Sequence, residues 1–230
     1  MKLTIIIPCF NEEKTIVQLI NSVLNNKYEN KEIIIIDDCS TDNSLEEINQ
    51  NFKNHKIIKI FNHSSNLGKG SCIQTALKKI SGDIVIFQDA DLEYDPKDHN
   101  KLIEPILSGK ADVVYGSRFR SGNATRVLYY WHRLGNFLLT HFSNMFTGLN
   151  LTDMETCYKA FRTDIINQIK LNEKRFGIEP EITAKIAKRN IKIYEVGISY
   201  NPRTYKEGKK ITWKDGLRAL YCIVKYSIFR

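Results

Sequence analysis

Apolar residues fall in short unbroken runs over the first ninety positions, and between those runs they recur at the spacing of a helix. Leu3 to Cys9 is a β-branched run closed by Pro8, and Ile16, Leu19, Ile20, Val23 and Leu24 then mark a helix over about 12–25. The alternation repeats. A strand at Ile33–Ile36 ends in Asp37-Asp38, and Ser40-Thr41-Asp42 supplies cap residues for a helix through about Phe52. A strand at Ile57–Phe61, a helix over 68–80 and a strand over 83–88 follow. Strands that are apolar throughout, each followed by an amphipathic helix, specify a parallel sheet covered on both faces.

The rhythm changes in the second half. A strand at Asp112–Tyr115 leads to Gly116-Ser117-Arg118, and a long helix rich in aromatics is expected over 126–147. A short strand over 157–161, a helix over 179–188, a strand over 191–199 and a Lys-rich loop come next. The last helix is expected over 213–229. Its Leu217, Leu220, Tyr221, Val224 and Ile228 share one face, with Lys214, Arg218 and Lys225 beside it. Neither linker nor repeat interrupts the 230 residues, so a single α/β domain spanning 1–230 is expected.

Charge narrows the partners. The net charge of +8 is concentrated between Arg118 and Arg133 and in the last thirty or so residues, which favours localised contact with phosphate or an anionic membrane surface. A single-strand nucleic-acid binder interleaves aromatics with a basic strand surface; that pattern is not found, and no nucleic-acid partner is expected. The five cysteines are odd in number and without a C-x-x-C pair, which reads as reduced thiols of a cytoplasmic protein. Met1-Lys2 runs straight into a strand, so no signal peptide is expected, and no apolar run approaches the ~18 residues of a membrane span. Membrane contact is expected to be peripheral, through the last helix and Tyr129-Tyr130-Trp131, or borrowed from a membrane-protein partner. Packing on the domain or in a homodimer is the alternative use of those faces.

The polar clusters sit where strands end. Asp89-Ala90-Asp91 follows Ile84–Phe87, and carboxylates at i and i+2 project to one side at the carboxyl edge of the sheet. Hard oxygen ligands suit Mg²⁺ or Mn²⁺, and such an ion suits a diphosphate. Pro8-Cys9-Phe10-Asn11-Glu12-Glu13, Asp37-Asp38-Cys39-Ser40-Thr41-Asp42 and Asn66-Leu67-Gly68-Lys69-Gly70 follow three other strands, so all four clusters converge on one cleft. The glycine loop opens a helix, as phosphate cradles do. Lys69 is followed by Gly70 and not by Ser or Thr, which argues against a P-loop NTPase. Glu12 and Asp37 are placed to accept hydrogen bonds from a base and ribose; capping is the alternative for carboxylates that open helices here.

With Gly116-Ser117-Arg118, Arg133-Leu134-Gly135-Asn136 and Leu151-Thr152-Asp153-Met154-Glu155-Thr156-Cys157-Tyr158-Lys159, these motifs resemble, over essentially the whole chain, the inverting family 2 glycosyltransferases of the GT-A fold. Within that family the chain is most similar to the dolichol-phosphate mannose synthase group. The resemblance implies a GT-A, Rossmann-like, mostly parallel sheet with helices on both faces. It also implies transfer of a hexose, mannose or glucose, from a nucleotide-diphosphate sugar to dolichyl or undecaprenyl phosphate, with inversion and with Mg²⁺ or Mn²⁺ as cofactor. Asp89, Asp91 and Glu93 are then the expected metal ligands. Donor contacts are expected at Pro8, Asn11, Glu12, Asp37, Asp38, Lys69, Asp89 and Arg203. Lys206, Lys209 and Lys210 share the loop of Arg203, which reads as a lid over the diphosphate, and Lys210 joins the donor set.

Arg118 and Arg133 match the arginines that hold the acceptor phosphate in that group, and with Asp91 they form the expected catalytic set. A phosphate monoester is already anionic and needs orientation, not deprotonation; the planar fork of Arg suits the task. A transferase acting on a sugar hydroxyl is the rival reading, and it requires a general base, for which Asp153 and Glu179 are the carboxylates in place. A nucleotide-sugar-binding module without turnover is the rival of another class; the intact Asp89/Asp91 pair speaks against it.

Overall fold

Leu3–Cys9 (β1) and Lys31–Asp37 (β2) pair in parallel over their whole length, Leu3 opposite Lys31 and Cys9 opposite Asp37. Ile5, Ile6 and Ile7 and the run Ile33–Ile36 are fully buried, which is why these strands read as unbroken apolar runs. Each such side chain contributes on the order of 1.5–3 kcal/mol by leaving water. The structure is a computed structural model that describes residues 1–120, 126–127, 129–204, 208, 210 and 212–228.

Ile58–Asn62 (β3), Ile84–Phe87 (β4), Val113–Ser117 (β5), Lys159–Arg162 (β6) and Ile193–Gly197 (β7) complete one seven-stranded sheet in the order β3-β2-β1-β4-β6-β5-β7. Four neighbouring pairs are parallel, while β6 runs antiparallel to both β4 and β5. The expectation of a mostly parallel sheet holds, with β6 the element that departs from it. The chain leaves β1 towards β2 on one side and comes back to place β4 on the other, so the strand order switches beside β1. A crevice at that point is where open α/β sheets take ligands.

The helices are Ile16–Leu24 (α1), Ser44–Phe52 (α2), Lys69–Leu77 (α3), His99–Leu107 (α4), Tyr130–Thr147 (α5), Thr163–Ile166 (α6), Ile178–Ala187 (α7) and Trp213–Ile228 (α8). Three of them begin later than the pattern predicts, each for a local reason. Glu12 to Thr15 form a turn whose Glu12 carbonyl accepts from Thr15 and Ile16, so α1 starts at Ile16. Ser40 is turned back onto Asp37, and Asp42 Oδ1 instead accepts from Ser44 N, so α2 starts at Ser44. The long helix starts at Tyr130, after an extended Tyr129. Two helices were not expected at all. In α4, Leu102, Ile103 and Ile106 are buried at helical spacing, but Pro105 near its end reads as a breaker; α6 is a single turn.

Helix α8 packs against α5 and α7 through buried Ala219, Cys222, Ile223 and Tyr226. The apolar face singled out in the sequence is a different one: Leu217 is 57% exposed, Tyr221 52% and Ile228 57%. Tyr130, Trp131, Phe137 and Leu138 of α5 are exposed as well. No helix among the described residues is long and apolar enough to cross a membrane.

Candidate active site

A cavity of about 850 Å³ is lined from several strand ends at once: by Pro8, Glu12 and Asp38, by Gly68 and Lys69, by Asp89, Asp91 and Glu93, and by Arg118, Arg203 and Lys210. Convergence of the four sequence clusters on one cleft is therefore a property of the fold. Asn11, Asp37 and Arg133 do not line it.

Asp38 shapes the glycine loop. Its Oδ1 accepts from Leu67 N at 3.0 Å and its Oδ2 from Gly68 N at 2.6 Å, which stations Lys69 at the start of α3. Gly68 has φ +96°, and a Cβ there would lie 2.5 Å from the Lys174 carbonyl; at Gly70 it would lie 2.2 Å from the Glu173 carbonyl. Only glycine admits the 173–175 segment so close. Asp38, His63 and Cys72 also bring three donor atoms within 4.8 Å of one another. Asp38 Oδ1 and His63 Nδ1 are 2.7 Å apart, however, which is a hydrogen bond, and His63 Nε2 continues to Thr75 at 2.9 Å.

Asn11 and Asp37, two of the expected donor contacts, also tie turns. Asn11 sits at φ 51° and its Oδ1 accepts from Thr41 N at 2.8 Å, locking the two loops together. Asp37 accepts from both Ser40 N and Ser40 Oγ and is buried. This is the turn chemistry that short polar side chains supply wherever a strand ends.

Three carboxylates form the acidic centre. Asp91 is buried; that burial, with the Asp89 and Glu93 carboxylates beside it, pushes its pKa up to about 7. Its Oδ1 accepts from Glu93 N and its Oδ2 faces Arg203 Nη2 at 2.7 Å. Burial also opposes ionisation of Asp89, but Lys69 Nζ at 2.8 Å outweighs it and holds Asp89 below the usual carboxylate range. Glu93 is spoken for on both oxygens, accepting from Arg203 N and from Tyr200 OH, each at 2.8 Å. A buried carboxyl crowded by two neighbouring carboxylates, as Asp91 is, is what a divalent cation relieves, so the donor set fits Mg²⁺ or Mn²⁺, with Asp91 its centre.

Glu12 meets the basic loop. Its carboxylate pairs with Arg203 at 3.0 Å and with Lys210 at 2.6 Å, and Lys210 also donates to the Phe10 carbonyl. Arg203 and Lys210 thus reach the cavity; Lys206 and Lys209 lie outside the described residues.

On the other wall, Arg118 is fixed in a fork. Its Nε and Nη2 each donate to Asp153 at 2.7 Å, and Nη2 also donates to Asn136 Oδ1 at 2.9 Å. Burial alone would disfavour its charge, but Asp153 holds its pKa well above the ordinary guanidinium value. Arg133 is exposed, outside the cavity lining, with its guanidinium 5.8 Å from the Phe119 ring centroid; that of Arg118 stands 5.7 Å from the same ring. The two guanidinium groups approach the same aromatic ring. Asp153 is wholly buried and committed to Arg118, and Glu179 pairs with Lys159 and with Lys69 at 3.2 Å, which weighs against either as a free general base.

Among the lining residues that escaped the sequence reading, Tyr200 and Glu155 bear on the chemistry. Tyr200 bonds Glu93 and sets its ring 5.1 Å from the Arg118 guanidinium, joining the acidic centre to the arginine wall; its position just before Asn201-Pro202-Arg203, after a strand, was the available signal. Glu155 lies inside a quoted motif but carried no spacing that marked it.

Comparison with known proteins bears on the family and the fold. The chain is 31% identical to a UDP-N-acetylglucosamine–dolichyl-phosphate N-acetylglucosaminyltransferase of Methanococcus voltae, over 94% of this chain and 92% of that protein. It is 28% identical to a dolichol-phosphate mannosyltransferase of Pyrococcus furiosus, over 99% of this chain but 65% of that protein. A crystal structure of glucosyl-3-phosphoglycerate synthase from Mycobacterium tuberculosis, with Mn²⁺, UDP and phosphoglyceric acid, superposes with a TM-score of 0.73 at 17% identity, covering 100% of this chain and 79% of that one. That likeness extends to the fold, which is the expected GT-A arrangement. A family model described as glycosyl transferase family 2 matches residues 4–170, the stretch that carries β2 to β6, nearly all of β1, and Asp89, Asp91 and Glu93, and the chain belongs to that family.

Proposed function

We propose that this glycosyltransferase moves a hexose from a nucleotide-diphosphate sugar to a polyprenyl phosphate, with inversion at the anomeric carbon. The observation that carries the reading is Arg118. A guanidinium held rigid by Asp153 and Asn136 stands in the wall of the same cavity as Asp91. Such a fork orients an anionic oxygen that is already nucleophilic, so no side chain has to take a proton. The names of the Methanococcus and Pyrococcus relatives, both acting on a dolichyl phosphate, support the same acceptor class.

On the donor side, Lys69 at the head of α3 and Arg203 and Lys210 of the basic loop supply positive charge for a diphosphate. Asp91 and Asp89 would hold a divalent cation, with Glu93 beside them, and the cation when bound supplies charge neutralisation to the departing nucleoside diphosphate. Attack by the acceptor oxygen on the face opposite the leaving group gives inversion in a single displacement. The exposed apolar faces of α5 and α8, with Lys214 beside them, serve as the contact with the membrane surface that holds the lipid.

The test is release of nucleoside diphosphate from UDP-glucose, UDP-N-acetylglucosamine or GDP-mannose, measured with and without undecaprenyl or dolichyl phosphate and with and without Mn²⁺. Release that requires the lipid phosphate and disappears in Asp91→Ala is the expected result. Release indifferent to lipid phosphate would defeat the acceptor assignment, and no release from any donor would defeat the enzyme.

A further inference from the structure

Buried polar atoms without a partner are uncommon in folded proteins, and each calls for an explanation. Among the described residues there are seven such side-chain atoms, and three of them, Glu155 Oε1, Glu179 Oε1 and Arg203 Nε, belong to residues that line the cavity. Arg203 and Glu179 have other ion pairs to account for them. Glu155 is different: among the described residues it has no ion pair, and its Oε1 is sealed from solvent with nothing to bond.

Its surroundings say what is missing. The charges that act on Glu155 most strongly are those of Glu179, Lys159, Arg118 and Asp153. Glu179 leads through Lys69 to Asp89 and so to the donor diphosphate centre. Arg118 is the acceptor phosphate's anchor in the reading given above. In any displacement, the group being transferred lies between the attacking oxygen and the leaving group. Glu155 lines the cavity two residues after Asp153, which holds Arg118, and two before Cys157, whose thiol hydrogen-bonds Asp89, so the stretch of chain that carries it joins the two ends. Burial, reinforced by the Glu179 carboxylate, pushes its pKa up to about 7. A carboxyl that is neutral for part of the time donates one hydrogen bond and accepts another, which matches a hydroxyl group better than a phosphate.

We propose that Glu155 is a specificity-determining residue that hydrogen-bonds a hydroxyl of the donor's sugar. The assignment rests on the nucleotide-sugar reading and deepens it. A site built to bond a hydroxyl rejects a ligand that lacks it more strongly than an apolar pocket rejects an extra methylene. Glu155 therefore contributes to which hexose is accepted, while the nucleotide is read elsewhere in the cavity.

The test is calorimetric titration of the full chain, in Mn²⁺, with whichever of UDP-glucose, UDP-N-acetylglucosamine and GDP-mannose the wild type binds most tightly, and in parallel with the matching UDP or GDP. In Glu155→Ala the affinity for the sugar nucleotide is expected to fall about 10–100-fold while that for the bare nucleoside diphosphate changes less than about twofold. Glu155→Gln, which keeps one donor and one acceptor at the same reach, is expected to stay within about threefold of wild type for both. Glu155→Asp draws the carboxyl back by one methylene and is expected to lose at least about fivefold for the sugar nucleotide alone; it provides the same comparison if the alanine variant does not fold. Equal losses for both ligands would make Glu155 a structural residue and overturn the proposal, as would an unchanged sugar-nucleotide affinity in Glu155→Ala and Glu155→Asp. If wild type binds UDP or GDP but none of the sugar nucleotides, it is the donor reading that fails.

Discussion

Arg203 Nη2 stands 2.7 Å from Asp91 Oδ2, and the same guanidinium reaches Glu12 at 3.0 Å. One cation of the C-terminal loop therefore sits on the carboxylates assigned to the metal and cannot at the same time contact a diphosphate. On the proposed donor reading, the loop and the incoming donor are expected to exchange partners, Arg203 leaving the carboxylates as positive charge arrives there and turning its fork to the phosphates. Arg203→Ala is expected to raise KM for the sugar nucleotide about 10–100-fold, the loss of a charge-assisted hydrogen bond of about 1.5–3 kcal/mol. The same variant is expected to bind Mn²⁺ more tightly than wild type when no nucleotide is present. Titration of the nucleotide-free chain with Mn²⁺ checks the exchange, and an unchanged affinity would count against it.

The pairing of Arg118 with Asp153 carries a stability consequence that the phosphate-anchor role alone does not. Asp153 is fully buried and the Arg118 side chain is 13% exposed, so deleting the carboxylate leaves a desolvated guanidinium without its partner. Asp153→Ala is expected to lower unfolding free energy by on the order of 3–5 kcal/mol in urea titration. Arg118→Lys keeps the charge but loses the fork that binds both Asp153 oxygens, and is expected to raise the acceptor's KM at least about tenfold. A stable, fully active Asp153→Ala would show that the pair orients nothing.

Asp91 and Asp153 mark how far the sequence could be read. Two carboxylates two residues apart after a buried strand allow few meanings, so Asp89 and Asp91 announced the acidic centre, and Pro8, Glu12, Lys69 and Arg203 arrived in the same cavity because each follows a strand. Asn11 and Asp37 show the limit. Short polar side chains after a strand both bind ligands and tie turns, and the turn partners of these two, Thr41 and Ser40, are visible only in the structure. The antiparallel β6 was hidden for a related reason: a buried strand is apolar whichever way it runs. Glu155 and Tyr200 depend on contacts between segments far apart in the chain, which no local pattern records.

Glu32 gives the chain an acid-sensitive clasp remote from the site. It is 3% exposed, and burial alone would raise its pKa; hydrogen bonds from Thr4 Oγ1, from Ser81 N and Oγ and from Lys59 prevail and hold it at about 2, against an ordinary 4.5. A carboxylate whose folded-state pKa is depressed stabilises the fold above its unfolded pKa, and that stability is lost as pH falls towards the folded value. The clasp is worth about 3 kcal/mol above roughly pH 4.5, fading to nothing near pH 2. Glu32→Gln is expected to remove most of this at pH 7. In urea titrations from pH 7 to pH 2.5, the gap between variant and wild type is expected to close on acidification; a gap that stays constant would locate the effect elsewhere.

Helix α8 has two apolar faces, and only one of them is used by the domain. Ala219, Cys222, Ile223 and Tyr226 are buried against the neighbouring helices, while Leu217 remains 57% exposed and Leu138 of α5 remains 55% exposed. Exposed large apolar side chains on two packed helices mark an interaction surface, and the neighbouring Lys214 favours one that is anionic. Each basic residue near such a surface contributes about 1 kcal/mol, so binding is expected to weaken with salt without vanishing, because the apolar part is not screened. Leu138→Glu combined with Leu217→Glu is expected to abolish co-flotation with vesicles containing phosphatidylglycerol, and to leave the melting temperature within about 3 °C, since surface changes of this kind move stability little. Turnover of a lipid acceptor presented in vesicles is expected to fall with the binding, whereas nucleoside diphosphate affinity in solution is not. Flotation equal to wild type in the double variant would assign the two faces to something other than lipid, and a lower molar mass of the variant in solution would identify that something as a second copy of the chain.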